Sequence, residues 1–452
     1  MKAHVVSRRV FLRAAVTGAA GALVAACAPT PAAPAAPTQP AATEAPAATP
    51  VAAPVKIIHA VWGGVMELDA MNKSAEAFHE EYPDITVEIL QIPQDYNAKV
   101  EAMMAAGQGL DTLQVPAPQY APRGAILNLQ PYIEADANIQ LDDLFPSALD
   151  IWRYKGDLYG LPYGTGPQVF YWRKDFAQEA GLADPNELAS RGEWNWSSFL
   201  EYAKALTKVE GSTVKVYGYF TYARNQEIYE WIFQNGGQPY NKEFNEAYFD
   251  RPEVTEAIQF PADLIHKEKI APESAVLAEI GTWNSFLNGA TASFISGPWQ
   301  RGRLVDIHGQ YDIAPLPENK ANVSLNFRVG QAVWVGTKYP DACYKWTAWR
   351  TWDKAAEIWS SLGVDLPPRK SQFTKPFWYS EKTQLEHQDV FLETLEKYAV
   401  ADPTTFVPSK VLDTISAALD QVFVEGKPAA EVFAAENANI SQLLKELQKW
   451  SP

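Results

Sequence analysis

Cysteine is nearly absent: Cys27 and Cys343 are the only two in 452 residues. That excludes a disulfide-stapled scaffold and a paired redox motif. Histidine is sparse too, with six scattered residues and no His-Glu-x-x-His pair to hold a catalytic metal. No Gly-x-Ser-x-Gly elbow presents a nucleophile, and no glycine-rich phosphate cradle occurs outside the N-terminal stretch. Basic charge is in deficit, 38 Lys and Arg against 54 Asp and Glu, which leaves a formal charge of −16. A body this acidic is repelled by phosphate backbones and anionic lipid, so nucleic acid and peripheral membrane binding are disfavoured. The many acids include no pair that a motif singles out for glycoside hydrolysis.

What the chain does have is aromatic surface, 15 Trp, 20 Tyr and 20 Phe. That is enough to fill cores and still furnish a surface that stacks flat, partly apolar ligands. A chain this long exceeds what one core organises, so two domains are expected. Residues 1–26 read as a signal peptide. Ser7-Arg8-Arg9-Val10-Phe11-Leu12 sets paired arginines ahead of an apolar region, with no acid before Glu44, and resembles a twin-arginine export signal. The apolar stretch Ala14 to Ala26 is too short to cross a bilayer core. It ends at Leu23-Val24-Ala25-Ala26-Cys27, which resembles the lipobox of bacterial lipoproteins. That resemblance implies lipid at Cys27 and leaves Cys343 unpaired, a small buried apolar residue. Residues 28–54 hold 12 Ala, 8 Pro and 4 Thr. With so little bulky apolar surface they read as an extended tether, reaching about 80 Å at ~3.1 Å per residue. Residues 27–54 thus imply a body exported to the cell envelope and held by lipid alone at the outer face of the cytoplasmic membrane. Removing Lys2, Arg8, Arg9 and Arg13 with the leader takes the charge from −16 to −20.

The body opens with Ile57-Ile58-His59-Ala60-Val61 ahead of Trp62-Gly63-Gly64, a strand entering a flexible turn. Leu68, Met71, Ala75, Phe78 and Tyr82 recur at helical spacing until Pro83, and Ile85, Val87 and Ile89 then alternate as a strand. This strand, helix, strand unit predicts parallel pairing. Tyr96 to Ala106 reads as a second helix stopped by Gly107, and Asp111 to Val115 as a third strand. The chain is organised around Gly156 to Asp175. Its Pro162 and Pro167 forbid helix and its Val169-Phe170-Tyr171-Trp172 reads as a buried strand, a crossing between two packed units. Near the C-terminus, Ile415, Leu419 and Val422, then Ile440, Leu443, Leu444 and Leu447, mark two amphipathic helices.

The ordered series continues through Val61-Trp62-Gly63, Phe78-His79-Glu80-Glu81-Tyr82-Pro83-Asp84-Ile85 and Ala105-Ala106-Gly107-Gln108-Gly109-Leu110-Asp111. Further on come Tyr159-Gly160-Leu161-Pro162, Glu193-Trp194-Asn195-Trp196, Ser296-Gly297-Pro298-Trp299 and Leu366-Pro367-Pro368-Arg369. Taken together it resembles the extracellular solute-binding proteins of ABC importers, the sugar-binding type related to maltose-binding protein. The resemblance implies an α/β, two-lobed periplasmic-binding-protein fold (type II), its lobes joined by a multi-strand hinge with a ligand cleft between. Lobe 1 would take residues 55–166 and 316–364, and lobe 2 residues 167–315 and 365–452. It further implies a monomer without cofactor, metal or catalytic residue, which captures a sugar or oligosaccharide by hinge closure and delivers it to transmembrane permease subunits. An extracellular glycan-processing enzyme is the alternative, as is an importer subunit for a non-sugar solute such as a glycerol phosphate or a polyamine.

A sugar ring offers C–H faces to aromatic planes and hydroxyls to amides and charged groups. Trp299, after Gly297-Pro298, matches a ligand-stacking tryptophan of that family and is the foremost ligand candidate, with packing at a helix start the alternative. Trp62 stands at a strand end beside two glycines. Tyr163 and Gln168 lie in the first crossing, and Gln119 in the loop after the third strand. Arg224, Asn225, Gln226 and Trp231 surround a helix leading to Asn235-Gly236-Gly237; Trp231 fits a core position as well as a ligand contact. Asn326 and Arg328 follow the second crossing. Arg369, in the third, suits either a ligand or an acid across the lobes. Trp283, with Phe286 and Leu287, reads as helix core.

Overall fold

The structure, a computed structural model, describes residues 54–114, 117–221, 227–327, 329–379, 381 and 383–448. The leader, Cys27 and the tether lie outside the described residues, as do Arg224, Asn225, Gln226 and Arg328. In chain order, the strands that carry the body are β1 (Val55–Val61), β2 (Ile85–Gln91), β3 (Thr112–Gln114), β4 (Leu161–Pro162), β5 (Gly166–Pro167), β6 (Val169–Arg173), β7 (Ser293–Ser296), β8 (Tyr311–Ala314), β9 (Ser324–Phe327), β10 (Gly330–Val333) and β11 (Ala399–Ala401).

The first lobe is built on a sheet of order β2-β1-β3-β10-β4. β1 pairs parallel with β2, from Val55 opposite Ile85 to Val61 opposite Gln91. The connection is α1 (Val65–Glu81), which buries Met71, Ala75 and Phe78, the apolar stripe of its sequence. On β2 buried Ile85 and Val87 alternate with exposed Thr86 and Glu88, as a sheet with one covered face requires. Helix α2 (Tyr96–Ala106) ends at Gly107 in the left-handed conformation, φ 68°, where glycine carries no Cβ penalty. One core unites Ile57, Phe78, Leu113, Tyr163, Val333 and the tryptophans 346, 349 and 359. Cys343 lies within it, unpaired, and burial pushes its thiol up to about 12.

The second lobe is built on the antiparallel sheet β7-β6-β8. β6 is its central strand and every residue of it is buried. Burying Phe170, Tyr171 and Trp172 contributes roughly 1.5–3 kcal/mol each. One face packs with α3 (Trp196–Leu206), α4 (Ile228–Gln234) and α5 (Pro252–His266). The C-terminal helices α6 (Ser409–Phe423) and α7 (Ala429–Gln448) bring Ile415, Leu419, Val422, Ile440 and Leu444 into the same core. The other face meets Leu366, Phe373, Trp378 and Phe391.

Three crossings lie side by side. β5, in the first, pairs with β9 in the second, Asn326 opposite Pro167. Thr165 exchanges backbone hydrogen bonds with Leu366 in the third, at 2.9 and 3.2 Å. The first crossing therefore sits between the other two. Leu316 and Leu325 pack in the second lobe's core, and the chain re-enters the first sheet at Gly330. The second crossing thus falls between Phe327 and Gly330, later than the 316 expected from Pro315 and Pro317. Those prolines mark a turn that stays within the second lobe.

A candidate ligand cleft at the hinge

Trp299 is placed by what surrounds it. It follows Gly297-Pro298 in a single 3-10 turn, Pro298–Gln300. A Cβ on Gly297 would lie 2.2 Å from the indole, and one on Gly166 would lie 2.9 Å from it. The ring therefore occupies space that only glycines leave open, against the first crossing. Its face stacks on Phe327 of the second crossing, centroids 5.6 Å apart and planes 18° apart. Both rings are half-buried, so aromatic surface remains open beside the hinge. Trp62, at the end of β1, is 51% exposed.

Other residues singled out from sequence hold the hinge. The Asn326 carboxamide oxygen accepts from the Gly166 amide at 2.8 Å and its nitrogen donates to Ser147 Oγ at 3.0 Å. The Gln168 backbone is fixed by Ser324 and Leu325. Its buried side-chain amide has no partner among the described residues. A buried amide left unpaired costs about 1–3 kcal/mol, a cost that a hydrogen-bonding ligand would relieve. Gln119, also buried, accepts from Ser409 Oγ of the second lobe at 3.4 Å, and its Nε2 lacks a partner among the described residues.

Tyr163 is deeper than its place in the first crossing suggested. Its hydroxyl accepts from the Gln114 amide, its ring lies 3.6 Å from the Arg350 guanidinium, and burial pushes the phenol pKa up. Arg350 also donates to Gln331 Oε1 of β10 at 2.9 Å. It thereby links the first crossing to the strand that follows the second.

Two predicted residues are engaged elsewhere. Trp231 is core, ringed by Trp196, Phe199, Tyr219 and Phe260. Arg369 is fully buried within a cage of first-lobe groups. It donates to the carbonyls of Ile139, Gln140 and Thr351 and to Thr351 Oγ1, stacks on Trp352 at 3.6 Å and pairs with Asp143 at 3.6 Å. None of its donors points to a ligand, because the last turns of the first lobe need them all.

The structure adds residues that spacing did not single out. A cavity of about 380 Å³ is walled by Gly64 to Glu67 at the start of α1 and, from the second lobe, by Trp283, Asn284 and Arg303. Trp283 packs edge-on against Phe220 and Phe294 of the second lobe's core, as its helical spacing suggested, and its half-buried ring also borders this cavity. Glu67 Oε1 faces Arg303 Nη2 across it at 3.6 Å, while Oε2 caps the Gly64 amide at 2.9 Å. Nearby in the third crossing is Asp365, buried and accepting no side-chain hydrogen bond among the described residues. Burial above all, and then the charge of Glu67, push its carboxyl up to about 7 against the pull of Arg301 and Arg350.

A carboxyl that holds its proton more tightly when folded loses stability as pH rises from its ordinary value near 4 to about 7. Asp365→Asn should therefore match the parent in melting temperature at pH 4 and exceed it by several degrees at pH 8. Equal melting temperatures at both pH values would sink this assignment.

Among the described residues no group of His, Cys, Asp and Glu converges to hold a metal ion, and no helix is long and apolar enough to cross a membrane.

Two packed lobes, three crossings and a half-open aromatic stack between them are the geometry of a hinged binder. A family model of bacterial extracellular solute-binding proteins matches residues 73–386. The chain belongs to that family. This solute-binding protein is 25% identical over 311 residues to a maltotriose-binding protein of Pyrococcus abyssi, an alignment covering 66% of this chain and 63% of that one. It is 31% identical over 140 residues to a mannitol-binding protein of Pseudomonas aeruginosa, covering 30% and 31%. Its fold matches an ABC substrate-binding protein from Listeria monocytogenes in complex with cycloalternan at a TM-score of 0.76. There the identity is 23%, with 86% of this chain and 99% of that one covered.

Proposed function

We propose that this solute-binding protein captures a sugar or oligosaccharide by closing its hinge and delivers it to the permease of an ABC importer. The observation that carries the reading is Trp299, half-open on Phe327 and seated against Gly166 where the crossings meet. An aromatic plane fixed at a hinge contacts a ring in the closed form and loses part of that contact on opening, so binding energy is spent on closure. The unpaired Gln168 amide supplies directed hydrogen bonds of the kind hydroxyls take. Similarity to relatives named for maltotriose and mannitol supports a polyhydroxy ligand. The family binds solutes without transforming them, so the groups of the cleft act as ligands and not as acid, base or nucleophile.

The protein works as a monomer, exported through its leader, lipidated at Cys27 and tethered at the outer face of the cytoplasmic membrane; the sequences around Arg8-Arg9 and Cys27 support this. Membrane contact is through the lipid and the permease. A thermal-shift screen of residues 55–452 against maltooligosaccharides, polyols, uronates, glycerol phosphates and polyamines tests the ligand class. A ligand at a hundredfold excess over its Kd stabilises the folded state by about 2.7 kcal/mol. A shift with a sugar or polyol supports the reading. A shift confined to polyamines or phosphate esters replaces the ligand class.

A further inference from the structure

The second lobe carries another hollow, of about 530 Å³, that the cleft reading leaves unused. Phe233, Tyr240, Phe244 and Tyr248 form its aromatic wall, with Lys242 and Arg251 exposed beside them. The hairpin that presents these residues is braced throughout. The Asn241 carboxamide accepts from the amides of Asn245 and Glu246 at 2.9 and 3.1 Å and donates to Asn245 Oδ1 at 2.6 Å. The Tyr240 and Tyr229 hydroxyls pair at 2.6 Å. At its tip Phe244 adopts φ 52°, a left-handed conformation that a bulky side chain enters only at a cost in strain. That strain holds a phenyl ring where a glycine would fit freely.

The scaffold's polar groups and both tyrosine hydroxyls of the wall are engaged, whereas the two cations beside it form no ion pair among the described residues. Lys242 forms no ion pair among the described residues. Arg251 lays its guanidinium on the Tyr248 ring at 3.4 Å, forms no ion pair among them either, and keeps its N–H edge free. Glu246 accepts from the Tyr248 hydroxyl at 3.2 Å. On a chain of net charge −16, the lining of this hollow carries two cations, Lys242 and Arg251, and no acid, with Glu243, Glu246 and Asp250 standing outside it on the same hairpin. Pro403 also lines the hollow, and Phe406 of the same turn lies 6.3 Å from Phe244 and 5.9 Å from Tyr154 of the first lobe.

We propose that this hollow is a second saccharide site, separate from the hinge cleft, that takes a sugar ring bearing a carboxylate. The rings stack on its C–H faces, and Lys242 and Arg251 neutralise the carboxylate, Arg251 by its paired N–H donors. The site does not depend on what the cleft binds.

The test is saturation-transfer NMR with a trigalacturonate probe, alongside maltotriose and a sugar 6-sulfate, on the parent, Trp299→Ala, Phe244→Gly and Lys242→Glu/Arg251→Gln proteins. Trigalacturonate should bind the parent and Trp299→Ala alike. It should bind at least tenfold more weakly to the charge variant and to Phe244→Gly, both of which should still melt cooperatively. Binding lost in Trp299→Ala would place the acid sugar in the cleft and overturn the proposal, as would unchanged binding in the charge variant or none in the parent. A preference for the sulfate would overturn the carboxylate assignment.

Discussion

Trp299→Ala should weaken capture of the cleft ligand by roughly 30- to 1000-fold, because losing the stack and the buried area of an indole is worth about 2–4 kcal/mol. The folded state should lose much less, since the ring is half-buried and its one aromatic partner among the described residues is Phe327. Isothermal titration with whichever sugar or polyol stabilises the parent gives the affinity, and a melting curve without ligand gives the stability. An affinity within threefold of the parent would remove Trp299 from the site. Trp299→Phe should recover part of the loss, since a smaller ring keeps the plane.

The second large effect is on stability alone. Arg369→Met should cost about 3–5 kcal/mol, because it strips partners from three backbone carbonyls and leaves Asp143 without its counter-ion. Ligand affinity, measured below the melting transition, should stay within about twofold, since every donor of Arg369 is spent inside the protein. Urea unfolding with and without ligand separates the two. A variant of parental stability that had lost its ligand would return Arg369 to the cleft.

These two residues mark how far the sequence could be read. Trp299 was legible because Gly297-Pro298 is local punctuation that fixes a turn, and the same holds for Pro83 ending α1 and for the apolar spacing of α6 and α7. Arg369 was found at a crossing, but whether its donors face a ligand or the chain depends on Ile139, Gln140 and Thr351, which no local pattern brings near. The Glu67 and Arg303 pair is of the same kind, one residue from each lobe and far apart in sequence. Trp283 has the spacing of a core residue and packs on Phe220 and Phe294, but that it also borders a cavity shared with the start of α1 could not be read from periodicity along its own helix. The later second crossing has the same origin, since proline marks where a chain turns and not which core receives it afterwards.

The place of β10 has a consequence for how the protein is made. It lies between β3 and β4, both of which precede it by well over a hundred residues. As the chain emerges, β3 keeps a bare edge until nearly three quarters of the protein has been synthesised, and the second sheet can close before the first does. An unpaired edge of this kind recruits other strands, including those of neighbouring nascent chains. The first sheet is thus the later of the two to close although its sequence comes first, and the window before Gly330 arrives leaves that edge exposed to misassembly.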